Sequence, residues 1–290
     1  MEADRLFGDM NSLPTRIAIA TQAAVSYLLF LVAFLWAVAF LAEQNVVKNV
    51  DTGPHVGLPE AVLVDGGLIV LFALQHTMMA RDGYRRAAAA AMPQGAVRSI
   101  YVLAATSILL LLFWQWRPLV GVVWDLPDPV LRPLAIGGYA MGWAIVLAST
   151  FMIDHFDLFG LRQAWLAWKG RDYVDLPFST GWLYAVVRHP LMTGFIVAFW
   201  STPHMTVGHL LFAAGFTGYI LIGTRLEERD LRAALGRTYD EYVARVPMLI
   251  PGLRGSARGL LGHSSARAEK ECQRRQADEE AERAQHQAPE

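Results

Sequence analysis

Cysteine is almost missing from this chain. Cys272 is the one thiol among 290 residues, which excludes an intramolecular disulfide and any cysteine-built metal site. Charge is sparse too: Asp, Glu, Lys and Arg make up 18% of the residues and sum to a net charge of -1. No field of one sign is therefore available to gather DNA or RNA, and no nucleic-acid function is read. His76, His155, His189, His204 and His209 follow no zinc-ligand spacing, so no metal is expected. The start of the chain is acidic (Glu2, Asp4, Asp9) and lacks an evident small-residue cleavage site, so the first apolar block is expected to stay as an anchor.

Apolar residues are what the chain has in excess, at 54%, beyond the usual share of a soluble domain. They come in blocks of about 17 to 25, the length that carries a helix across roughly 30 Å of hydrocarbon. Spans are predicted at about 17–41, 61–80, 100–116 and 134–153. Asp65, Gln75 and His76 are embedded in the second. The third closes on Trp114 and Trp116, side chains that favour the headgroup level. Gly138 and Gly142 sit in the fourth at a spacing that lets a neighbouring helix approach.

The stretch 154–187 is too charged to span, and two apolar pieces follow at 191–203 and 207–223. The first is short enough to dip in and return or to cross, and it pairs with the second as a helical hairpin. The expected fold is an all-α polytopic membrane bundle of five to six transmembrane helices, with this hairpin at its C-terminal end. Residues 1–254 form the membrane domain, and 255–290 a polar tail too poor in apolar residues to order itself. Arg81, Arg85, Arg86 and Arg98 follow the second span, and Arg162, Lys169, Arg171 and Arg188 follow the fourth. An excess of basic residues marks cytoplasmic loops, which predicts both termini inside, in a bacterial inner membrane.

Three segments can carry chemistry. Val187-Arg188-His189-Pro190-Leu191-Met192-Thr193-Gly194 enters the hairpin, and its proline can start a helix whose free N–H groups receive a carboxylate. An interfacial basic anchor would use the same residues. Thr224-Arg225-Leu226-Glu227-Glu228-Arg229-Asp230 leaves the hairpin near the same surface and is followed by Gly236, Tyr239, Tyr242 and Pro247. Glu227 and Glu228 sit close enough to the apolar boundary to hold a cationic ligand, whereas Asp230 and Arg232 read as a solvated, ion-paired face. The third segment is His155-Phe156-Asp157-Leu158-Phe159-Gly160-Leu161-Arg162-Gln163. Gln75 and His76 lie toward the end of a membrane helix, where polar groups face the bundle interior or a wet cavity. They are candidates, with Asp157, for lining a substrate path.

The Arg-His-Pro entry, the hairpin and the Glu-Glu exit resemble the isoprenylcysteine carboxyl methyltransferase and phospholipid methyltransferase superfamily over the last third before the tail. His155 to Gln163, Gln75-His76 with Met79-Ala80-Arg81, and Phe113-Trp114-Gln115-Trp116-Arg117-Pro118 are similar to membrane-bound methanethiol S-methyltransferases over most of the membrane domain. The resemblance implies S-adenosylmethionine as cofactor, enclosed at the inner face. It gives Arg188, His189, Pro190, Gly194, Glu227 and Glu228 cofactor or active-site roles. Tyr184 is placed with the cofactor contacts, and for catalysis His155 or His189 can take the thiol proton while Arg188 or Arg162 stabilises the thiolate. Met192 departs from the pattern, which commonly has Tyr at that place. The implied reaction methylates a small thiol, methanethiol or hydrogen sulfide, with the membrane lipid as surroundings and no obligate protein partner. A prenylcysteine or lipid acceptor, and a non-enzymatic transporter or accessory protein of nitrogen-oxide metabolism, are the alternatives.

Overall fold

A computed structural model describes residues 12–252 except 43, 45, 175 and 177–179; the polar tail at 255–290 and the first eleven residues lie outside the described part. Five helices are long and apolar enough to cross a membrane: α1 (Leu13–Leu41), α2 (Leu58–Ala80), α4 (Gln94–Gln115), α5 (Leu131–Ile153) and α9 (Val207–Leu235). Shorter pieces fill the connections, namely α3 (Asp82–Ala91), α6 (His155–Leu158), α7 (Leu161–Trp168), a 3-10 turn (Trp182–Ala185), α8 (Pro190–Trp200) and α10 (Arg237–Arg245). The bundle expected from the sequence is present. Three helices start on a proline, at Pro14, Pro59 and Pro190, because that residue's missing N–H costs nothing in a first turn. The first two therefore begin before their apolar runs do.

The outside of the bundle is as apolar as a soluble core. Leu28, Val32 and Leu35 on α1 and Leu63, Val70 and Leu74 on α2 all face outward, which is stable only against lipid. Inside, Phe40, Phe113, Trp116, Phe212 and Phe216 form one aromatic cluster. The aromatic pair at the end of α4 divides: Trp114 is exposed, while Trp116 is fully buried and donates from its indole N–H to Val50 O at 3.1 Å. Asp65, also buried, accepts from the Arg117 backbone N–H at 2.9 Å.

A small strand pair settles how many times the chain crosses. Strands β1 (Val122–Asp125) and β2 (His204–Thr206) pair antiparallel, tying the loop between α4 and α5 to the link between α8 and α9. Those loops therefore share one face, together with Asp51, which accepts from the Thr206 hydroxyl at 2.6 Å. Helix α8 is only about 16 Å long, but the extended residues after Trp200 carry the chain the rest of the way. The piece crosses completely, giving six passes. On the opposite face Arg16 donates to Trp168 O at 3.2 Å, Arg98 to Leu158 O at 2.8 Å, and Arg81 pairs with Asp230 at 2.8 Å. The basic loops, the start of α1 and the end of α9 thus lie together.

Helix α8 packs chiefly on α5 and less on its hairpin partner α9. The seam is made of glycine: a Cβ on Gly194 would stand 2.8 Å from Gly142 O, and one on Gly142 would collide with the Ala198 backbone. Gly160, at φ 86°, presses the turn between α6 and α7 onto Ser99, where a Cβ would sit 2.7 Å from the backbone nitrogen. Gly142→Leu is expected to cost at least about 1–3 kcal/mol through overpacking. Gly137→Ala, on the same helix with open space around it, should be neutral or slightly stabilising. Thermal unfolding in detergent measures the contrast.

Candidate functional site

The entry turn is built by mutual support between two distant segments. Arg188 and His189 donate their backbone N–H groups to Pro247 O at 2.9 Å and Met248 O at 3.1 Å, and the Thr193 hydroxyl donates to Leu249 O at 2.8 Å. What lets the chain reach back is Gly236, at φ 54°, which turns α9 into α10. Tyr239, Tyr242 and Val246 then pack on Leu231, Leu235 and Val243. The Tyr242 hydroxyl donates to Tyr184 O at 2.6 Å, and burial pushes its pKa up to about 12, so it remains a donor. Burial, then the nearby Glu227 charge, likewise raises the pKa of Tyr184.

Into this frame α9 delivers its two carboxylates. Glu228 is buried and receives Arg188 twice, from Nε at 2.7 Å and from Nη2 at 2.6 Å, with His189 Nε2 at 3.2 Å on the same oxygen. Arg232 approaches the other oxygen at 3.6 Å, an ion pair along the helix of the kind read for it from the sequence. The remaining guanidinium nitrogen of Arg188 is held by the carbonyls of Val243 and Val246. Arg188 and Glu228 thus touch directly rather than facing one another across a chamber. Glu227 differs: its side chain is 54% exposed and stands 3.7 Å from His189 Nδ1. It lies within electrostatic range of Tyr101, Tyr184 and Tyr219.

The remaining sequence-predicted residues fall into two adjoining groups. His155 is buried, with Tyr27 Oη 2.7 Å from Nε2 and Thr150 Oγ1 2.9 Å from Nδ1, and burial lowers its pKa. Arg162 donates to Asp157 at 2.8 Å and to Val174 O at 3.1 Å, and the Tyr173 hydroxyl donates to the other Asp157 oxygen at 3.3 Å. His76 Nε2 is 2.7 Å from the Tyr101 hydroxyl, and Gln75 donates to the Met79 sulfur at 2.9 Å. Pro190 is the first residue of α8, and Gly194 is the glycine of the α5 seam. The structure therefore joins Arg188, His189, Glu227 and Glu228 directly and brings Tyr184 in through Tyr242. It sets His155, Asp157 and Arg162 apart in the loop after α5.

Sequence reasoning passed over Tyr27, Arg98, Tyr101 and Tyr219. Each is a polar aromatic or a cation inside or beside an apolar run on the basic side, and that depth was the available signal. Arg98 lies 5.0 Å over the Tyr101 ring. An apolar groove of about 650 Å³ lies elsewhere, on the other half of α2 along Leu58, Val62 and Val70. Among the described residues no group of three or more His, Cys, Asp or Glu could hold a metal.

Six passes among the described residues, with a buried cation–carboxylate cluster closing one face, define a polytopic helical membrane protein with a charged site at its basic face. A family model described as NnrU protein matches residues 66–255. Methanethiol S-methyltransferase 2 of Bradyrhizobium diazoefficiens is 51% identical over 82% of this chain and 92% of its own length. The methanethiol S-methyltransferase of Mycobacterium tuberculosis is 50% identical over 79% of this chain and 93% of its own. That of a Pseudomonas species is 47% identical over 78% of this chain and 86% of its own. The chain belongs to the NnrU protein family and groups there with these relatives. No solved structure matches it.

Removing the Glu228 charge strands a buried guanidinium, which typically costs about 3–5 kcal/mol. Glu228→Gln should accordingly lower the unfolding temperature sharply, whereas Glu227→Gln, at a half-exposed position, should stay within about 0.5 kcal/mol of the parent. Equal melting of the two variants would show that the ion pair does not hold the turn.

Proposed function

We propose that this protein is an S-adenosylmethionine-dependent methyltransferase that converts methanethiol to dimethyl sulfide, with hydrogen sulfide as a smaller acceptor. The observation that carries the reading is near-complete coverage of methanethiol S-methyltransferases at about half identity. No specific observation favours a prenylcysteine or lipid acceptor, or a transport role. The membrane is the bacterial inner membrane, with the basic face and both termini cytoplasmic.

The donor set at the inner face suits such a cofactor. Glu227 is a half-exposed carboxylate, unlike its ion-paired neighbour Glu228, and is therefore open to a cation, which a carboxylate attracts. Helix α8, opened by Pro190, favours a carboxylate at its N-terminus. His189 lies between these two features, and Tyr184 is fastened nearby through Tyr242. When bound, S-adenosylmethionine supplies an electrophilic methyl group on a positively charged sulfur.

The roles of the chain's own residues follow from their contacts. Arg188 and Glu228 neutralise one another and lock the entry turn to α9, so they fix positions and leave Glu227 to meet the ligand's positive charge. His189, held by Glu228, is oriented toward Glu227. His155 and Arg162 with Asp157 brace the loop that covers the inner end of α4. A thiolate meeting a cation loses charge as it reacts, so apolar walls that exclude water favour that encounter.

Headspace gas chromatography of cells expressing the protein and supplied with methanethiol tests the activity. Dimethyl sulfide should rise well above the empty-vector level, and no rise with verified membrane insertion would refute the reading. Glu227→Gln should reduce turnover about 100-fold, in line with losing one oriented charge at a reacting centre, and weaken cofactor binding by isothermal titration.

A further inference from the structure

Methylating a thiol releases one proton, and the roles assigned above name no residue to take it. We propose that the Nδ1 lone pair of His76 accepts the S–H proton of the substrate, from the tautomer that carries its ring hydrogen on Nε2, against the Tyr101 oxygen. The inference rests on the functional reading above and adds to it the identity of the base.

The other buried histidines are occupied. Both nitrogens of His155 meet hydroxyls, those of Tyr27 and Thr150. His189 Nε2 is engaged by Glu228 at 3.2 Å, with Glu227 3.7 Å from Nδ1. His209 Nε2 lies 2.9 Å from Phe199 O, near the opposite face. In His76, Nε2 is engaged by the Tyr101 hydroxyl at 2.7 Å, while Nδ1 is buried without any partner. A neutral imidazole carries one N–H. With that hydrogen on Nε2 and directed at the Tyr101 oxygen, Nδ1 presents a bare lone pair.

The surroundings specify what would fill it. Gln75, the preceding residue, also buries an oxygen, Oε1, without a partner. Two adjacent residues thus offer acceptors with no donor to meet them, and an unmet buried acceptor is unfavourable until a donor arrives. The walls are apolar: Phe72 stacks on the His76 ring at 5.1 Å, Tyr219 stands edge-on at 6.1 Å, and Met79 lies on the next turn. Unmet acceptors among aromatic rings suit a small, apolar molecule with a single weak donor, which describes an alkyl thiol. His76 is also one turn from the end of α2 at Ala80, on the basic face. Tyr101 and Tyr219, which flank it, lie within electrostatic range of Glu227, on the same face as the assigned cofactor site.

In the step, the S–H bond breaks heterolytically. The proton goes to Nδ1 and the electron pair stays on sulfur, giving the thiolate that is the nucleophile. The imidazolium gives up the Nδ1 proton to water once the methylated product has left, which restores the neutral ring with its hydrogen on Nε2.

The test compares the full-length wild type with His76→Asn on two acceptors, methanethiol and methaneselenol. The selenol is the stronger acid and ionises at neutral pH without help. Loss of a general base should slow thiol methylation about 100-fold or more while leaving selenol methylation within about 3-fold, and that selenol rate also reports that the variant is folded. Equal loss on both acceptors, or no loss on either, would overturn the role of His76. Wild-type failure on both acceptors would overturn the functional reading and this inference together, whereas absence of acceptor selectivity alone overturns only the inference. A second readout needs no turnover. In side-chain 15N spectra of detergent-solubilised protein without methyl donor, methanethiol should move the Nδ1 resonance that is lost in His76→Asn, and an unmoved resonance counts against the contact.

Discussion

A guanidinium and a carboxylate withdrawn from water together hold the inner end of this protein in place. Arg188 belongs to the turn that opens α8, and Glu228 to the last turns of α9, forty residues later. Neither could be buried alone, because an uncompensated charge in a low-dielectric setting is far more costly than a matched pair. Once they meet, His189 is drawn to the same carboxylate, and the backbone of the turn is sealed by the carbonyls of Pro247 and Met248. The pair is therefore a positional device that leaves Glu227 half-exposed beside it.

The opposite face is fixed by different means. There the short strands β1 and β2 join two loops by backbone hydrogen bonds, Thr206 ties them to Asp51 in the loop between α1 and α2, and Asp65 of α2 holds the backbone of Arg117 just after α4. Between the faces the α5–α8 seam works by closeness, since Gly142 and Gly194 let two backbones touch and dispersion does the rest. An eleven-residue helix can belong to a six-pass bundle because that seam anchors it along its length and the extended residues after Trp200 complete the crossing.

Much of this was legible in the residues themselves. Hydropathy gave the long spans because lipid imposes a length on apolar runs, and the placement of arginine gave their alternation. The Arg-His-Pro turn and the paired glutamates stood out as ionisable groups at apolar boundaries, and they do meet in space. Other pairings were hidden. Nothing local indicates that His76 meets Tyr101, that Tyr27 meets His155, or that Glu228 rather than Glu227 takes the arginine. Those outcomes depend on the rotation and depth of whole helices, which hydropathy does not encode.

What the sequence determined alone was where the long apolar spans lie, which loops are basic, and which few residues carry charge where charge is costly. What only the tertiary structure decided was the division of labour among them: Glu228 bound into an ion pair and Glu227 left available, Gly194 serving as a packing surface, and His76 keeping one nitrogen unmet. The physical reason is that partners that meet lie up to 155 residues apart, as Asp51 and Thr206 do. Which of them meet is set by how close two helices can approach, a property of facing surfaces and not of any single segment.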